Sequence, residues 1–195
     1  VYASTGTTWI IYSNGDLYGC GYGAFGQQGN GSATNVTTFT KRASNVKQVA
    51  CTSQETWYIN SSGDLYGCGY NDKGQQGSGD TNNVLTFTQR ASNVEKIVCD
   101  NSMIWYIDSN NDLYGCGYNG GGQQGSGDMI DVTTFTKRAS NVSSVACSRN
   151  ASWYINLSGD LYGCGSGSYG QQARAKALAT ELHARNPPQL KSLLI

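Results

Sequence analysis

The sequence is short of the residues on which most active sites depend. Its 195 residues include a single histidine, His183, and charged side chains make up only 13% of the chain. Because this histidine lies close to the C-terminus, no Ser-His-Asp or Cys-His arrangement can be built within the rest of the chain. No Cys-x-x-Cys pair is present either, which argues against a zinc site. The sequence therefore predicts no enzyme, no catalytic residue, no metal site and no cofactor.

The charges that are present do not form a basic surface. Residues 1–172 contain 9 Lys and Arg against 12 Asp and Glu, whereas residues 173–195 contain 4 basic residues and 1 acidic residue. A body without a basic stripe is poorly suited to gripping the phosphates of nucleic acid. The apolar runs are also shorter than the roughly 20 residues that a transmembrane helix needs. Neither binding to nucleic acid nor insertion into a membrane is expected.

What the sequence has in abundance is repetition. Its four tryptophans lie 48 residues apart, and other residues recur in the same register without an insertion or deletion. The positions that occur four times are Trp9, Trp57, Trp105 and Trp153; Asp16, Asp64, Asp112 and Asp160; and Cys20, Cys68, Cys116 and Cys164. Those that occur three times are Phe39, Phe87 and Phe135; Arg42, Arg90 and Arg138; and Cys51, Cys99 and Cys147. A fixed period of this length is the signature of a repeat architecture.

One unit of the repeat has room for four short strands. Residues 57–60 and 65–69 are rich in aromatic and β-branched side chains and flank a Ser-Ser-Gly-Asp turn, so they are predicted to form a hairpin. Residues 86–90 and 96–99 are predicted to form a second hairpin around residues 91–93. A polar loop rich in glycine and asparagine joins the two pairs. Four strands in 48 residues is the size of one β-propeller blade, so an all-β propeller is expected.

The repeat resembles that of the regulator of chromosome condensation family. The residues that carry the resemblance are the run Gly-Asp-Leu-Tyr-Gly-Cys-Gly-Tyr-Asn-x-x-Gly-Gln-Gln-Gly and, further on, Asn-Val-x-x-Val-Ala-Cys. The resemblance covers residues 1–172 and implies a β-propeller, usually of seven blades. The repeated cysteine of the first run stands where the family usually has tryptophan. The family includes a nucleotide-exchange factor for the GTPase Ran, but this sequence does not match that protein's wedge-like insertion or basic flank. The resemblance therefore implies the scaffold and not that activity.

The repeats stop before the fourth unit is complete. The tryptophan-containing half of the unit occurs four times, the phenylalanine-containing half occurs three times, and the pattern changes abruptly after residue 172. Residues 1–172 are therefore predicted to form a propeller that is incomplete in one chain, and residues 173–195 a short amphipathic helical tail with Leu178 and Leu182 on its apolar side. An open propeller would expose unpaired strand edges, so self-association is expected, with a dimer favoured and these two leucines as contacts. The alternative is a four-bladed ring within one chain.

Two sets of repeated side chains have both a chemical and a structural interpretation. The repeated aspartates could line a channel, but each follows Gly or Asn in a predicted turn, where Asp caps its own backbone. The seven cysteines could form three repeated disulfides, Cys51–Cys68, Cys99–Cys116 and Cys147–Cys164. The odd number, and the place of a family tryptophan, favour seven reduced and packed thiols instead. Reduced thiols in turn favour a cytoplasmic location.

Differences between the copies are concentrated in three sets of predicted loops. Loops on a rigid repeat scaffold are where binding residues are usually found. The least turn-like side chains at these positions are the candidate binding residues: Phe25, Glu55, Lys73, Met103, Ile104, Arg149 and Tyr169. Drift in solvated loops would produce the same differences.

These observations favour a non-catalytic protein-interaction propeller that self-associates to complete its ring and uses the C-terminal helix for assembly or docking. The sequence does not identify the protein partner. One alternative is a lectin-like propeller that binds carbohydrate, in which the regularly spaced Trp and Tyr rings stack on sugars. Another is a structural or engineered assembly protein, which the near-identity of the copies and the abrupt change at the tail would suit.

Overall fold

The computed structural model of the chain describes residues 1–100 and 102–167, and these form an all-β fold. No helix occurs among them, so none crosses a bilayer. The helical tail predicted for residues 173–195, with Leu178 and Leu182, and the candidate Tyr169 lie outside the described residues. The fifteen strands of the described residues are β1 (Tyr2–Ser4), β2 (Thr7–Ile11), β3 (Leu17–Gly21), β4 (Val36–Ala43), β5 (Val46–Cys51), β6 (Glu55–Asn60), β7 (Leu65–Gly69), β8 (Val84–Ala91), β9 (Val94–Asp100), β10 (Met103–Asp108), β11 (Leu113–Gly117), β12 (Val132–Ala139), β13 (Val142–Ser148), β14 (Ala151–Asn156) and β15 (Leu161–Gly165).

The strands form four antiparallel sheets that follow one another along the chain, and each sheet is one propeller blade. Blade 1 consists of β1–β4, blade 2 of β5–β8, blade 3 of β9–β12 and blade 4, within the described residues, of β13–β15. The first strand of each blade lies nearest the centre, since β5 contacts both β1 and β9, and β9 contacts β13. The fourth strand lies at the periphery, where most side chains of β4 are exposed. The prediction of an all-β propeller built from four-stranded repeats is confirmed.

The prediction that the third and fourth strands of the repeat pair as a second hairpin is wrong, however. β8 pairs with β7, whereas β9 pairs with β10 in the next sheet. The short link between β8 and β9, in which Asn93 has a φ of 60°, therefore passes from the outer strand of one blade to the inner strand of the next. The prediction failed because a sequence period gives the length of a unit but not the position at which a sheet begins.

The repeated aspartates belong to the turns between the second and third strands. In blade 2 the side-chain oxygen of Asn60 accepts a hydrogen bond from the Asp64 backbone N–H at 2.8 Å. Gly63, in the same turn, has a φ of 82°, a conformation that favours glycine. The Asp64 carboxylate also accepts hydrogen bonds from Gln89 in β8 and from Ser92 just beyond it. In blades 1 to 3 the aspartate carboxylates fasten the turn to the outer strand and do not line a channel. The expectation that Asp caps its own backbone is wrong, because Asn60 supplies that cap in blade 2.

Apolar cores hold the neighbouring blades together, one at each of the three interfaces. The indole of Trp9 in blade 1 meets the ring of Phe87 in blade 2 edge-on, with ring centroids 5.9 Å apart. Trp57 and Phe135 repeat this contact between blades 2 and 3 at 6.1 Å. Both indoles are at most 1% exposed. Large aromatic side chains buried in this way dominate the energetics of a core.

All seven cysteines are free thiols. β6 lies between the strands that carry Cys51 and Cys68, since Thr56 pairs with both residues. Two strand spacings, about 10 Å, separate the two cysteines, which is too far for a disulfide. The alternative of three repeated disulfides is therefore wrong. The buried Cys68 thiol instead donates a hydrogen bond to the carbonyl oxygen of Gln27 in blade 1 at 3.5 Å, and the same bond recurs in blades 3 and 4.

Candidate protein-interaction surfaces

One end of the propeller carries the long loops of the described blades. In each blade the antiparallel register places the start of the second strand beside the end of the third, as in the pairing of Thr7 with Gly21. The turn before the second strand and the loop after the third strand therefore share this end, which we call the loop face. The loops of residues 22–35, 70–83 and 118–131 belong to it. All the predicted binding residues that the structure describes lie in segments at this end.

Phe25 is part of an aromatic cluster that joins blades 1 and 2. Its ring centroid lies 4.7 Å from that of Tyr70 in blade 2 and 6.0 Å from that of Tyr22 in its own loop. Phe25 itself is half-buried, whereas Tyr22 is 41% exposed. The cluster is therefore open to solvent on one side. The role of Phe25 in binding stays a prediction.

Lys73 and Arg149 also lie on the loop face. The Lys73 ammonium is 3.8 Å from a carboxylate oxygen of Asp72 and 3.8 Å from one of Asp131 in blade 3. These side chains are partly solvated, so each ion pair contributes less than about 1 kcal/mol. Arg149 is exposed, and its backbone carbonyl accepts a hydrogen bond from the side-chain amide of Gln123 at 2.9 Å. Binding through either residue stays a prediction.

Three of the predicted loop residues are not in loops. Met103 and Ile104 are the first two residues of β10, and each is 1% exposed. Met103 packs in the core between blades 3 and 4, and Ile104 in the core between blades 2 and 3. Glu55 begins β6 and is likewise 1% exposed. Their assignment to exposed loops is wrong, because a strand that starts with a different side chain in each copy looks like a variable loop in sequence.

Glu55 is a buried carboxyl group at the loop face of blade 2. Its Oε1 accepts a hydrogen bond from Gln75 Nε2 at 3.1 Å, and its Oε2 accepts one from Thr52 Oγ1. Burial raises the pKa of Glu55 from its ordinary value of 4.5 to about 8, although these two hydrogen bonds act in the opposite direction. The negative charges of Asp100 and Asp72 raise the pKa further. Burial therefore favours the protonated form of Glu55 in the folded chain.

Sequence reasoning missed an exposed apolar tip on the loop face. Met129 and Ile130 are each 71% exposed in the loop between β11 and β12. The corresponding residues 33–34 and 81–82 in blades 1 and 2 are small or polar. The signal was present in the sequence, since this loop is one of the three sets that differ between copies. None of the candidate binding residues predicted from the sequence lies in residues 128–131.

The loop that carries this apolar tip is held from within by Asn119. The side-chain amide donates hydrogen bonds to Ser126 Oγ at 2.8 Å, to the carbonyl oxygen of Asp128 at 3.0 Å and to that of Ile130 at 3.1 Å. The side-chain oxygen accepts one from the Gln124 backbone N–H at 2.8 Å. The Asn119 amide group thus donates hydrogen bonds to the loop oxygens that would otherwise be available to coordinate a cation. No group of three or more His, Cys, Asp or Glu residues in the described part of the chain could hold a metal ion.

Three of the four repeated tryptophans are not available for stacking on sugars. Trp9, Trp57 and Trp105 are 0%, 1% and 2% exposed, each within a core between blades. The lectin-like alternative depended on such rings being accessible at equivalent positions, so the structure does not support it.

The outward faces of blades 1 and 4 expose residues whose copies pack between blades elsewhere in the chain. Phe39 in β4 is 46% exposed, whereas its copies Phe87 and Phe135 pack against indoles of the preceding blade. Ile155 in blade 4 is 39% exposed, whereas its copy Ile59 is fully buried. The described blades therefore form an open arc with two apolar ends and not a closed four-bladed ring.

A groove also lies between blades 3 and 4, beside β15. Its cavity of 560 Å³ is lined by side chains that include Trp105, Arg138, Tyr154 and Tyr162. Among the described residues, the groove, the two apolar ends of the arc and the loop face are the candidate surfaces for contact with another protein chain.

Comparison with known proteins relates the fold to solved propellers. No protein-family model matches the sequence, and no curated protein matches it. Human WBSCR16 superposes with a TM-score of 0.72, at 19% identity, over 82% of this chain and 45% of that one. Yeast RCC1 (Prp20) bound to Kap60 gives a TM-score of 0.70, at 22% identity, over 82% and 40% of the two chains. Prp20p from Saccharomyces cerevisiae in a second structure gives 0.70, at 17% identity, over 91% and 46%.

The blades and these superpositions define the class of protein: the chain is a segment of a β-propeller. More narrowly, the propeller segment has the fold of RCC1 (Prp20) propellers, which is the fold that the resemblance of the repeats implied. The chain spans less than half the length of each of these proteins. With identities of 17–22%, the likeness concerns the fold.

Proposed function

We propose that the chain is a protein-interaction propeller without catalytic chemistry of its own, and that it self-associates through the two apolar ends of its arc. Two similar structures support the first part. One shows yeast Prp20 bound to Kap60, and the other is described together with the binding of Prp20p to Gsp1p and histones. An RCC1-like scaffold is thus one on which proteins are bound, and here it carries an exposed apolar tip and an aromatic cluster on its loop face.

One observation carries the proposal of self-association: Phe39 and Ile155 are 46% and 39% exposed at opposite ends of the arc. Exposed apolar surface of this kind is characteristic of protein interfaces. Each end carries the side chains that join neighbouring blades inside the chain, so the two ends suit a head-to-tail contact between copies. Two chains that meet in this way cover both ends if the ring closes. The eight blades of such a ring are within the range that propellers use.

Sedimentation velocity of the purified chain at several concentrations tests this proposal. The expected particle has twice the chain mass of 20.8 kDa and dissociates on dilution. Phe39→Ser should shift it to the monomer, because the substitution removes an aromatic ring from one end of the arc. Met129→Ser is the matched control, since Met129 is also exposed but lies on the loop face. A wild-type chain that sediments as a monomer at every concentration would rule out self-association.

We also propose that residues 173–195 take part in assembly through Leu178 and Leu182. The support is their spacing of four residues, which puts both on one face of a helix. Replacing both leucines with serine should weaken self-association and so raise the dissociation constant of the particle. Lys176→Ser, a polar change in the same segment, is the control. An unchanged dissociation constant in the leucine variant would remove the tail from the interface.

A further inference from the structure

Blade 4 offers an unpaired strand edge. Within the described residues, β15 pairs with β14 and with no fourth strand. In blade 3 the corresponding strand, β11, pairs on its other side with β12, and Tyr114 stands opposite Lys137 there. As far as the described residues go, the side of β15 that faces away from β14 therefore presents the backbone groups to which a further antiparallel strand adds.

An aromatic pocket lies beside this edge. The cavity between blades 3 and 4 has Trp105 on one side and Tyr154 on the other. In the preceding interface, between blades 2 and 3, a phenylalanine of the fourth strand takes the same place. The ring centroid of Phe135 lies 6.1 Å from that of Trp57 and 4.9 Å from that of Tyr106. The pocket thus has the lining that receives the aromatic side chain of a fourth strand.

A carboxylate oxygen at one end of the edge has no partner. Asp160 Oδ1 is buried and accepts no hydrogen bond. The corresponding carboxylates of Asp16 and Asp112 bind the ammonium groups of Lys41 and Lys137, on the fourth strands of their own blades, at 2.7 and 2.6 Å. Each of these lysines follows the phenylalanine of its strand by two residues. A buried carboxylate oxygen without a partner is costly, so Asp160 marks the place of a cation.

We propose that this edge binds an extended segment of a partner protein that carries an aromatic residue followed, two residues later, by lysine or arginine. The proposal rests on the proposed role in protein interaction and specifies the chemistry of the partner. The segment adds to β15 as a fourth strand, its aromatic ring enters the pocket beside Trp105, and its cationic group binds Asp160. The strand edge, the pocket and the carboxylate each point to the same ligand. Their spacing matches the phenylalanine and lysine of the chain's own fourth strands.

A synthetic peptide with the sequence of residues 131–141, which contains the phenylalanine and lysine of β12, is the probe. Calorimetric titration into the full chain is expected to show saturable binding. Replacing the peptide's phenylalanine with alanine should weaken binding at least about tenfold, since a buried aromatic anchor carries much of the affinity of such a contact. Replacing its lysine with alanine should weaken binding by about tenfold, because a hydrogen bond to a charged group is lost.

A variant of the chain identifies the carboxylate that the lysine binds. Asp160→Asn should bind the lysine peptide about tenfold more weakly than the wild-type chain, and the two peptides should differ little in affinity for it. Asp112→Asn is the matched control, because its lysine partner belongs to its own blade. This control should bind both peptides as the wild-type chain does. Slower hydrogen exchange of the amides of residues 161–165 on binding should locate the peptide at β15.

Absence of saturable binding, or equal affinity of the wild-type chain for the phenylalanine peptide and its alanine analogue, overturns the proposal. This conclusion holds for any segment that occupies the groove in place of a partner strand, including residues 173–195 of this chain. A peptide that splits a dimer into monomers shows that the occupant is a strand of a second copy, which also overturns the assignment to a partner protein. Self-association is judged separately, from the sedimentation of the wild-type chain without peptide.

Discussion

The ring of Phe135 meets the indole of Trp57 edge-on across the boundary between blades 2 and 3, with ring centroids 6.1 Å apart. Phe87 and Trp9 make the same contact one repeat earlier. An edge-to-face pair is favourable because the positive edge of one ring meets the negative face of the other. Because both residues recur every 48 positions, blades 2 and 3 each contribute a phenylalanine to the contact with the preceding blade, whereas Phe39 of blade 1 has no preceding blade in the chain and is exposed.

Removing this phenylalanine should destabilise the chain far more than removing its exposed copy. Phe135→Ala is expected to lower the free energy of unfolding by about 2–4 kcal/mol, because the partly buried ring packs against Trp57 and its removal leaves a cavity there. Phe39→Ala, at a position that is 46% exposed, should cost less than about 1 kcal/mol. Urea denaturation followed by tryptophan fluorescence, at a concentration where the chain is monomeric, measures both values. Equal losses would show that the interior pair does not hold the blades together.

The buried carboxyl group of Glu55 should make stability fall as the pH rises. Folding raises its pKa from 4.5 to about 8, so the folded chain keeps this proton at pH values where the unfolded chain has lost it. The contribution of Glu55 to the free energy of unfolding is therefore largest below about pH 4.5. It decreases as the pH rises and is lost above about pH 8. Within that window the slope is roughly 1 kcal/mol per pH unit.

Glu55→Gln should remove this slope, because the amide stays neutral and keeps the shape of the protonated side chain. The variant is expected to match the wild-type chain at pH 5 to within about 1 kcal/mol and to exceed its stability clearly at pH 8. Urea denaturation at the two pH values gives the comparison. If the wild-type chain and the Glu55→Gln variant lose the same free energy of unfolding between pH 5 and pH 8, Glu55 is not the group that titrates.

Short-range patterns were sufficient to predict the strands and the turns, but not the role of the aspartate carboxylates, which bond to the outer strand as Asp64 does with Gln89 and Ser92. Asp64, for example, follows a glycine in a tight turn, and both the turn and its capping depend on neighbours in sequence. The blade boundary depends on long-range pairing and was not predictable in the same way. Residues 91–93 have the composition of a hairpin turn, yet β9 leaves β8 and joins the next sheet.

Exposure was the property that comparison of the copies could not supply. Met103 and Ile104 differ from the residues at the same positions in other copies, yet both are buried in β10. Met129 and Ile130 differ from their counterparts as well, and both are exposed. The start of a buried strand and the tip of an exposed loop can both differ between copies of the repeat. Only the register of the sheet, which places one inside a core and the other in solvent, separates them.

The free thiols should divide into accessible and protected groups. Burial raises the pKa of Cys68 and of Cys116 well above the ordinary value, so both stay as unreactive thiols in the folded chain at neutral pH. A disulfide-exchange reagent should titrate seven thiols in denaturant without a reductant. In the folded chain Cys68 and Cys116 should remain unmodified until it unfolds, which mass spectrometry of the labelled peptides shows. Cys68→Ser should lower the denatured count by one. A denatured wild-type count below seven would contradict the free-thiol structure.

Asn119 should be the residue on which the shape of the β11–β12 loop depends. It is fully buried, and Asn119→Ala leaves the carbonyl oxygens of Asp128 and Ile130 without their donor. The expected loss is about 1–3 kcal/mol, because the backbone N–H of the buried Gln124 also loses its acceptor, the Asn119 side-chain oxygen. Asn110→Ala, at an exposed turn position, is the control and should change stability by less than about 0.5 kcal/mol. Urea denaturation measures the loss, and hydrogen exchange should rise in residues 119–131 of the Asn119 variant alone. If the amides of that loop exchange as slowly as in the wild-type chain, another contact holds the apolar tip in place, and the amide at the centre of the loop is dispensable.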